Sequence, residues 1–402
     1  MRFPSTAPIV VAILALAVAI ASFGIQFADD LADEVSSPRA ATPATPSQVT
    51  DDFARVFEVW EILKRDSFGA DTLDSTELSR GAVRGMLEAM DDPYAVYLTQ
   101  DQVQAEREEF SGAFEGIGAE VTMRNGRITI VAPIPDTPAD EAGIRPGDVI
   151  LRINGESTED ISLQEAVKKI RGPIGEPVEL EVARQHGGEP VTLTIVRGEI
   201  HVKSARLRML VGGLAHLRLT GFTETTADEV REALEQVRDL EARGLILDVR
   251  NNPGGLLRSV VDVTSHFLEG GLVLYELDGR GERRDWPVRE DGLATDIPLV
   301  ILINEGSASG GEVLAGALLD RGRATAIGTK TFGKGSVNTL RQLRDGTGMY
   351  FTIAHWFTQN GVAIEGEGVE PDILQEQPED GSEDLQLDKA IEVLQAMVRA
   401  RE

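Results

Sequence analysis

Three glycine-rich segments contain the residues best suited to chemistry, and the first of them contains Ser309. Residues 304–312 (NEGSASGGE) follow an apolar run and open a helical pattern, so Ser309 falls where a strand meets a helix. Sites in α/β proteins form at the carboxyl ends of strands, and the positive end of a helix favours negative charge there. The same pattern is also typical of a packing turn or a phosphate-binding turn. Its position makes Ser309 a candidate nucleophile.

The second segment, residues 328–338 (GTKTFGKGSVN), places Lys334 between two glycines in a chain with only seven lysines. A lysine acts as a base only if its pKa falls well below the usual ~10.4. Burial away from water lowers the pKa in this way, and a drop of ~3 units corresponds to ~4 kcal/mol. The alternative is an ordinary solvated lysine in a loop.

The third segment, residues 248–256 (DVRNNPGGL), also joins an apolar strand pattern to a helical one. Its two glycines, Gly254 and Gly255, can turn backbone N–H groups toward a ligand. Two such donors make an oxyanion hole, worth ~3 kcal/mol per donor. An ordinary strand–helix turn has the same composition.

The hydrophobic pattern divides the chain into regions that must position these segments. Residues 51–90 show helical periodicity, and residues 110–198 contain short strand patterns with one helix at 162–171. From residue 212 onward strands alternate with helices, which predicts an α/β layered core. The strands are expected at 214–219, 244–249 and 299–303, and the helices at 226–243, 256–268 and 308–319, with a last helix at 385–399.

Together the three segments resemble those of the C-terminal processing peptidases, which are tail-specific serine proteases with a PDZ domain. The resemblance runs over residues 53–373. It implies that Ser309 is the nucleophile of a serine endopeptidase and that Lys334 is its general base, with no catalytic histidine. It also implies an oxyanion hole made by two backbone amides. One belongs to Gly254 or Gly255, and the other belongs to Gly310.

Two departures from the family pattern lie inside these motifs. The family usually has Ala-Ser after the nucleophile, where this chain has Gly310 and Gly311. The family often has a glutamine four residues after the lysine, where this chain has Asn338. An asparagine has the same donor and acceptor groups on a shorter side chain. Asn338 is therefore included among the expected catalytic residues, as the one that orients the Ser–Lys pair.

A PDZ domain is expected before the core. Residues 114–121 (FEGIGAEV) resemble the carboxylate-binding turn of such domains, and residues 142–155 resemble their centre. Successive backbone N–H groups in a glycine-rich turn can hold a terminal carboxylate, while the peptide adds a strand to the sheet. The peptide-binding residues implied by the resemblance are Gly116, Ile117, Gly118 and Ala119. A PDZ domain used only as structure is the alternative.

The predicted fold class is multidomain α+β, with N-terminal helices, a β-barrel-like PDZ domain and an α/β layered protease core similar to crotonase and Clp folds. The expected boundaries are a signal peptide or membrane anchor at 1–30, a flexible linker at 31–50, a helical region at 51–98, the PDZ domain at 99–198, the protease core at 199–375 and a helical tail at 376–402. The helical start and tail could pair two chains as a homodimer, and a PDZ domain could gate the site, with Arg171 as a candidate contact.

The N-terminal segment predicts that the chain is exported. Arg2 precedes an apolar run at 7–27, and acidic residues follow it. A positive start and an acidic exit direct the rest of the chain outward, and the run is near the ~20 residues that span a bilayer. A signal peptide and an uncleaved anchor both remain open. Either places the protease outside the cytoplasm, in the periplasm or cell envelope, and an uncleaved segment would attach it to the membrane.

Composition excludes several other classes. The absence of cysteine excludes disulfides and thiolate chemistry, and the net charge of −28 argues against nucleic acid as a partner. The five histidines form no H-E-x-x-H pair, and the chain has neither a G-x-S-x-G elbow nor an S-x-x-K motif. No cofactor and no metal are expected, and the expected partners are proteins or peptides with free C-termini. A non-catalytic PDZ scaffold and a crotonase-like acyl enzyme remain the alternatives.

Overall fold

The computed structural model describes residues 46–184, 187–290, 292–378 and 383–401. The expected signal peptide or anchor at 1–30 and most of the linker at 31–50 lie outside the described residues. Within the described ranges, no helix is both long and apolar enough to cross a bilayer. The chain divides into two compact units: Glu108–Lys203, and the described residues up to Arg107 together with those from Ser204 onward. The predicted boundaries of the first of these were 99 and 198.

The chain begins with helices α1 (Pro46–Asp66) and α2 (Ser75–Glu88), followed by strand β1 (Val96–Leu98) and helix α3 (Gln100–Ser111). Helix α2 begins where it does because the Asp74 carboxylate accepts a hydrogen bond from the Thr76 N–H at 2.7 Å. The apolar stripe predicted on α1 remains largely exposed, for example at Phe57. Pairing of two chains through this region stays a prediction.

The unit Glu108–Lys203 is a small β structure with two sheets. A two-stranded sheet pairs β2 (Ala113–Gly116) with β9 (Gly198–His201). The larger sheet has the order β3-β4-β5-β7-β8, so β3 lies at its edge, and β6 pairs with β5. Its elements are β3 (Ala119–Arg124), β4 (Arg127–Pro133), α4 (Pro138–Glu141), β5 (Val149–Ile153), β6 (Glu156–Ser157), α5 (Leu163–Ile170), β7 (Pro177–Ala183) and β8 (Val191–Val196).

The second unit is built on a six-stranded sheet of order β10-β11-β12-β15-β16-β19. The β10–β11 pair is antiparallel and the remaining pairs are parallel. Its strands are β10 (Ala205–Leu210), β11 (Leu214–Leu219), β12 (Gly244–Asp248), β15 (Leu299–Ile303), β16 (Thr325–Gly328) and β19 (Ile373–Leu374). Every residue of β12 and β15 is buried, as expected for parallel strands covered on both faces.

Helices cover the two faces of this sheet and explain that burial. One face packs against α6 (Thr226–Asp239), α7 (Leu257–Ser265) and α8 (Gly310–Asp320). The opposite face packs against α9 (Leu385–Arg401), through residues that include Ala390 and Leu394. The tail at 376–402 was predicted as a helix that could pair two chains. Ala390 and Leu394 are buried in the chain's own core, and pairing through the rest of the helix stays a prediction.

A second, antiparallel sheet of order β1-β18-β13-β14, with β17 paired to β18, completes this unit. Its remaining strands are β13 (Leu272–Asp278), β14 (Arg283–Pro287), β17 (Ser336–Gln342) and β18 (Gly348–Phe357). Strand β17 begins two residues after Lys334, so this sheet fixes where the lysine segment enters the site.

A buried ion network joins α9 to the end of β12. The Arg250 guanidinium donates to Asp248 Oδ2 at 2.7 Å and to Asp384 Oδ1 at 2.7 Å, and His216 Nε2 lies 3.1 Å from Asp248 Oδ2. Although burial opposes it, hydrogen bonds from Arg250 and His216 hold the pKa of Asp248 well below its usual range. The network therefore holds the last helix on the sheet with ionised groups, and His216 is part of it as a structural residue.

Candidate active site

Ser309 lies at the junction of β15 and α8 with an unusual backbone conformation. Its φ is 48° and its ψ is −113°, and the helix begins at the next residue. The predicted start at 308 was thus two residues early. A non-glycine residue with such angles costs of order 1–3 kcal/mol and persists only when its surroundings impose the conformation. The surroundings that impose it are the hydrogen bonds around Glu312.

Glu312 accepts hydrogen bonds from both candidate catalytic segments. Its Oε2 accepts from the backbone N–H groups of Ser309 and Lys334, each at 2.8 Å. Its Oε1 accepts from the Gly333 N–H and the Thr331 hydroxyl, each at 2.6 Å. The amide nitrogens of Ser309 and Lys334 therefore lie no further apart than twice 2.8 Å.

Glu312 is itself completely shielded from solvent. Burial raises the pKa of its carboxyl, and the four hydrogen bonds oppose that rise. Charge-assisted bonds of this kind are stronger than neutral ones, so the loss of the acceptor would leave four buried donors unsatisfied. Glu312 therefore holds the Ser309 and Lys334 segments together.

Lys334 meets the requirement that the sequence set for a base. Its side chain is 0% exposed, and burial lowers its pKa to about 6. The carboxylates of Glu365, Asp92, Glu106 and Glu312 oppose this shift, but desolvation is the larger effect. A lysine with such a pKa is mostly neutral at pH 7 and can accept a proton.

Two aromatic side chains pack around Lys334. Its Nζ lies 4.4 Å from the centroid of the Tyr94 ring, and its backbone carbonyl accepts from Trp356 Nε1 at 3.2 Å. Lys334 therefore contacts two elements that are far apart in the sequence: its side chain meets the segment before β1, and its backbone carbonyl meets strand β18.

The glycines of the third segment lie against Ser309. A Cβ atom added at Gly254 would lie 2.9 Å from Ser309 Cβ and 2.9 Å from the Gly310 nitrogen. The Gly254 N–H already donates to Asn252 Oδ1 at 2.9 Å, so it is engaged. The Gly254 carbonyl accepts from the Phe222 N–H at 2.9 Å. Because N–H and C=O point in opposite directions across a trans peptide, the Gly255 N–H points away from Phe222.

The same reasoning applies to Gly310. The Ser309 carbonyl accepts from the Glu312 and Val313 amides at 2.9 Å, so it points along the helix and the Gly310 N–H points out of the helix N-terminus. Gly255 and Gly310 also line one pocket together with Ser309. Of the alternatives Gly254 and Gly255, the geometry favours Gly255 as the partner of Gly310.

That pocket is largely apolar. Beside Ser309 and the two glycines, it is lined by Leu257, Val260, Val313, Ser336, Val337, Asn338 and Trp356. Its composition suits an uncharged side chain of a bound peptide.

Asn338 lies in this pocket on β17, and its amide is held by neighbours. Its Oδ1 accepts from the Ser336 hydroxyl at 3.0 Å, and its Nδ2 donates to Thr352 Oγ1 at 3.2 Å. Thr352 in turn donates through its backbone N–H to Asp92 Oδ2 at 2.8 Å. A role for Asn338 in orienting the Ser–Lys pair stays a prediction.

The Gly310–Gly311 departure has a steric explanation. A Cβ at Gly310 would lie 2.6 Å from Val260 Cγ2, and one at Gly311 would lie 3.1 Å from the Asn252 carbonyl oxygen. Both neighbours occupy the space that an alanine and a serine would need. In this chain Val260 of α7 and Asn252 in the loop before α7 lie in that space.

The unit Glu108–Lys203 contains a separate groove beside its edge strand. The groove is lined by Phe114, Ile117, Gly118, Ala119, Val121, Val167, Ile170 and Arg171. Three of the four predicted peptide-binding residues are among these, and the fourth, Gly116, pairs with Gly198 in the two-stranded sheet. The groove thus lies between β3 and the apolar stripe of α5.

Two backbone hydrogen bonds orient the turn at Ile117 and Gly118, which lines the groove. The Ile117 carbonyl accepts from the Ala139 N–H at 2.7 Å, and the Gly118 carbonyl accepts from the Ile134 N–H at 2.8 Å. The N–H groups of Gly118 and Ala119 therefore point the opposite way. Two parallel donors of this kind can hold a carboxylate.

Arg171 closes one end of the groove. Its guanidinium lies 4.5 Å from the centroid of the Phe114 ring and 3.0 Å from Glu108 Oε2. These contacts lie within this unit, so they describe the groove itself. The expected gating contact of Arg171 stays a prediction.

Among the residues that the structure describes, no group of three or more metal-ligating side chains is close enough to hold a metal ion.

Sequence reasoning missed three residues of the site. Glu312 follows the pattern Ser-x-x-Glu at a helix start, which predicts a carboxylate that accepts backbone N–H groups, and this signal could have found it. Asn252 and Tyr94 have no comparable signal, because their contacts depend on the tertiary fold.

Comparison with known proteins agrees with this geometry. Residues 213–375 match Peptidase family S41, residues 129–184 match a PDZ domain, and residues 14–102 match the N-terminal domain of the activating protease CtpB. The carboxy-terminal processing protease CtpA of Bacillus subtilis is 35% identical over 81% of this chain and 70% of its own length.

Two further relatives extend the comparison. A carboxy-terminal-processing protease of Bartonella bacilliformis is 39% identical over 76% of this chain and 71% of its own length. The crystal structure of a putative S41 protease from Bacteroides fragilis covers 98% of this chain and 100% of that one, with a TM-score of 0.52 and 14% identity. At that identity the last likeness shows the fold alone.

Proposed function

Since this chain belongs to the C-terminal processing peptidase family and is a serine-type peptidase with a PDZ domain, we propose that it cleaves proteins near their C-termini by a Ser309–Lys334 dyad. The observation that supports the dyad most directly is the Glu312 carboxylate, whose single Oε2 atom accepts from the amides of both residues. This shared acceptor supports the proposal because it keeps the backbone amides of the serine and the buried lysine close together.

The proposed reaction begins with proton transfer. Neutral Lys334 takes the proton of the Ser309 hydroxyl as Oγ attacks the scissile carbonyl carbon. The protonated lysine then gives this proton to the leaving amine, and the acyl–enzyme ester remains. Water attacks the ester carbonyl while Lys334 takes its proton, and the Oγ–acyl bond then breaks. The protonated lysine returns this proton to Ser309 Oγ, and the new carboxyl terminus leaves.

Backbone amides would stabilise the oxyanion of both tetrahedral intermediates. The N–H groups of Gly255 and Gly310 are the donors that the peptide orientations support. An oxyanion hole of this kind typically contributes ~3 kcal/mol per donor. The apolar pocket beside Ser309 would receive the substrate side chain that precedes the scissile bond.

Substrate capture is assigned to the groove of the PDZ unit. The terminal carboxylate would bind the N–H groups of Gly118 and Ala119, and the preceding residues would add a strand to the edge of β3. Val167 and Ile170 would contact the terminal side chain. This preference for free chain ends is what would direct the peptidase to C-termini.

We also propose that the protein acts outside the cytoplasm. Support comes from the sequence alone, through the charge asymmetry around the apolar run at 7–27. Fractionation of cells that produce the full chain, with protease accessibility of the PDZ unit as readout, would test this location.

The dyad is tested by cleavage of a peptide with a free, apolar C-terminus. We expect Ser309→Ala and Lys334→Ala each to lower kcat/KM by at least ~10³-fold, because nucleophile and base act as a unit. Lys330→Ala is the matched control, since that exposed lysine four residues earlier pairs with Glu370 at 2.9 Å. Full cleavage by both dyad variants would leave the PDZ scaffold as the better interpretation.

Two further measurements separate the steps. Labelling of Ser309 by a fluorophosphonate should rise with pH through about pH 6, because Lys334 must be neutral to act as base.

Val167→Ala, or amidation of the peptide C-terminus, should raise KM for the tail peptide and leave a short substrate unaffected. Equal cleavage of amidated and free peptides would contradict capture by the PDZ groove.

A further inference from the structure

The Tyr94 ring lies against Nζ of Lys334, the buried nitrogen that would be protonated when the proposed base accepts a proton. The distance from Lys334 Nζ to the ring centroid is 4.4 Å, well within the range of a cation–π contact. Tyr94 belongs to the segment before β1, about 240 residues from Lys334, and it has no part in any of the three catalytic motifs. Its position therefore needs a separate explanation.

The backbone of Tyr94 is held by a carboxylate that also binds β18. Asp92 Oδ1 accepts from the Tyr94 N–H at 2.9 Å and from the Thr352 hydroxyl at 3.1 Å, and Asp92 Oδ2 accepts from the Thr352 N–H at 2.8 Å. Thr352 Oγ1 accepts in turn from Asn338. These bonds fix the Tyr94 segment to the strand that pairs with β17, directly after the lysine.

The ring is also suited to interact with a cation. Burial, assisted by the nearby carboxylates of Glu365, Glu312 and Asp92, raises the pKa of the Tyr94 phenol, so the side chain stays neutral. The face of a neutral phenol ring carries the negative part of its quadrupole. A positive charge on Nζ would be attracted to this face, and a neutral amine would not.

We propose that Tyr94 is a positioning residue for catalysis, whose ring stabilises Lys334 in the protonated form that appears once Ser309 has lost its proton. The inference rests on the proposed dyad. Lys334 would gain its charge at a position that is 0% exposed to solvent, with the ring face 4.4 Å from Nζ. The ring thus offsets part of the desolvation at the step where the charge forms and raises the basicity of Lys334.

Other charged groups face Lys334 and must stay constant in the test. They are Glu312 on α8, Glu365 after β18, Glu106 on α3 and Asp92. A set of variants that changes only the ring leaves all four in place, so their contributions to the titration cancel between variants.

The experiment replaces Tyr94 with phenylalanine and then with mono-, di- and trifluorinated phenylalanines in the full chain. Fluorine withdraws electron density from the ring face and hardly changes its shape. Tyr94→Phe keeps the ring face and is the reference against which the fluorinated variants are compared. Along the fluorinated series kcat should fall stepwise, by about tenfold at the last member, with little change in KM.

Lysine titration gives a readout that does not depend on activity. The chain has only seven lysines, so NMR of isotope-labelled lysine in a Ser309→Ala background can follow Lys334. Its titration midpoint should move to lower pH by about 0.5–1 unit along the fluorinated series, because a weaker ring stabilises the cation less. Tyr97→Leu, three residues later on β1, is the control and should leave this midpoint unchanged.

The two hypotheses fail in different ways. If Ser309→Ala still cleaves, the dyad is wrong, whatever the ring does to the lysine. If cleavage requires Ser309 but neither kcat nor the Lys334 midpoint changes across the fluorinated series, the role of Tyr94 is overturned and the ring only fills space.

Discussion

The protease core and the PDZ unit hold their functional charges in opposite ways. In the core, Glu312 is fully buried and accepts four hydrogen bonds between 2.6 and 2.8 Å. In the PDZ unit, Arg171 and Glu108 pair at 3.0 Å with side chains that are 44% and 24% exposed. A buried carboxylate with all partners present is costly to disturb, whereas an exposed ion pair is worth at most about 1 kcal/mol.

This difference corresponds to the two tasks that we propose. The proposed proton transfer between Ser309 and Lys334 would require fixed geometry, which a buried carboxylate with four donors can supply. The proposed capture of varied protein tails would require a surface that an incoming carboxylate can enter without disrupting the fold. The contrast makes quantitative predictions that can be ranked by size.

The largest effect is expected for Glu312→Ala. The four donors would stay buried without their acceptor, so we expect a loss of ~3–5 kcal/mol in the free energy of unfolding, together with loss of peptidase activity. Glu305→Ala is the matched control, because that exposed carboxylate lies in the loop before α8 and accepts only from the Thr329 hydroxyl among the contacts described. Denaturant unfolding of the full chain measures both, and equal losses would contradict the special position of Glu312.

The next effect has the opposite sign. Lys334→Met should stabilise the fold, because a buried amine is replaced by an apolar chain of similar length. The folded-state pKa of Lys334 is lowered to about 6 from 10.5, so between these values the unfolded chain binds more protons and the parent gains stability as pH rises.

The gain of Lys334→Met should therefore be largest at pH 6 and below and disappear toward pH 10.5. Each pH unit in this window is worth up to about 1.4 kcal/mol, so the 3.5 units between 10.5 and pH 7 give about 5 kcal/mol at pH 7. Unfolding free energies of both proteins across this range provide the measurement. A difference that does not depend on pH would mean that Lys334 is charged in the folded chain.

A smaller effect is expected for Gly310→Ala. Alanine normally favours a helix over glycine by about 1 kcal/mol, but its Cβ here would lie 2.6 Å from Val260 Cγ2. Overpacking costs about 1–3 kcal/mol, so the clash should win and the variant should be less stable. In the double variant with Val260→Ala much of the Gly310→Ala penalty should disappear, and purely additive effects in this cycle would refute the steric explanation.

The smallest effect is expected for Glu108→Gln in the PDZ unit. The exposed pair with Arg171 should contribute less than about 1 kcal/mol, and less still in 1 M salt. Thermal unfolding of the full chain at low and high salt checks this, with the neighbouring exposed Glu109→Gln as control. A loss comparable to that of Glu312→Ala would erase the distinction between the two regions.

Predictions from the sequence were most successful for features that depend on patterns in contiguous residues. The strands 214–219 and 299–303 were predicted to the residue, because continuous apolar runs bounded by polar turns define buried parallel strands. The family and the PDZ domain followed from motifs that are contiguous in sequence. The two-residue error at the start of α8 arose because the strained backbone of Ser309 delays the helix.

The rest depended on contacts between distant segments. Tyr94 meets Lys334 only because β1 pairs with β18, and no periodicity in either segment predicts that pairing. The choice between Gly254 and Gly255 required the hydrogen bond from Gly254 to Asn252, which depends on a side-chain rotamer. The tail helix was recognised, but its amphipathic pattern could not show whether the apolar face meets a second chain or its own sheet.

The position of α9 imposes an order on biosynthesis. The strands that carry the catalytic loops, β12, β15 and β16, are synthesised before the helix that covers their second face with Ala390, Leu394 and Val398. Until that helix has emerged from the ribosome, Ile246, Val300, Leu302 and Ile327 face water on that side. A nascent chain therefore leaves one face of the sheet that carries the Ser309 loop uncovered until this helix has left the ribosome.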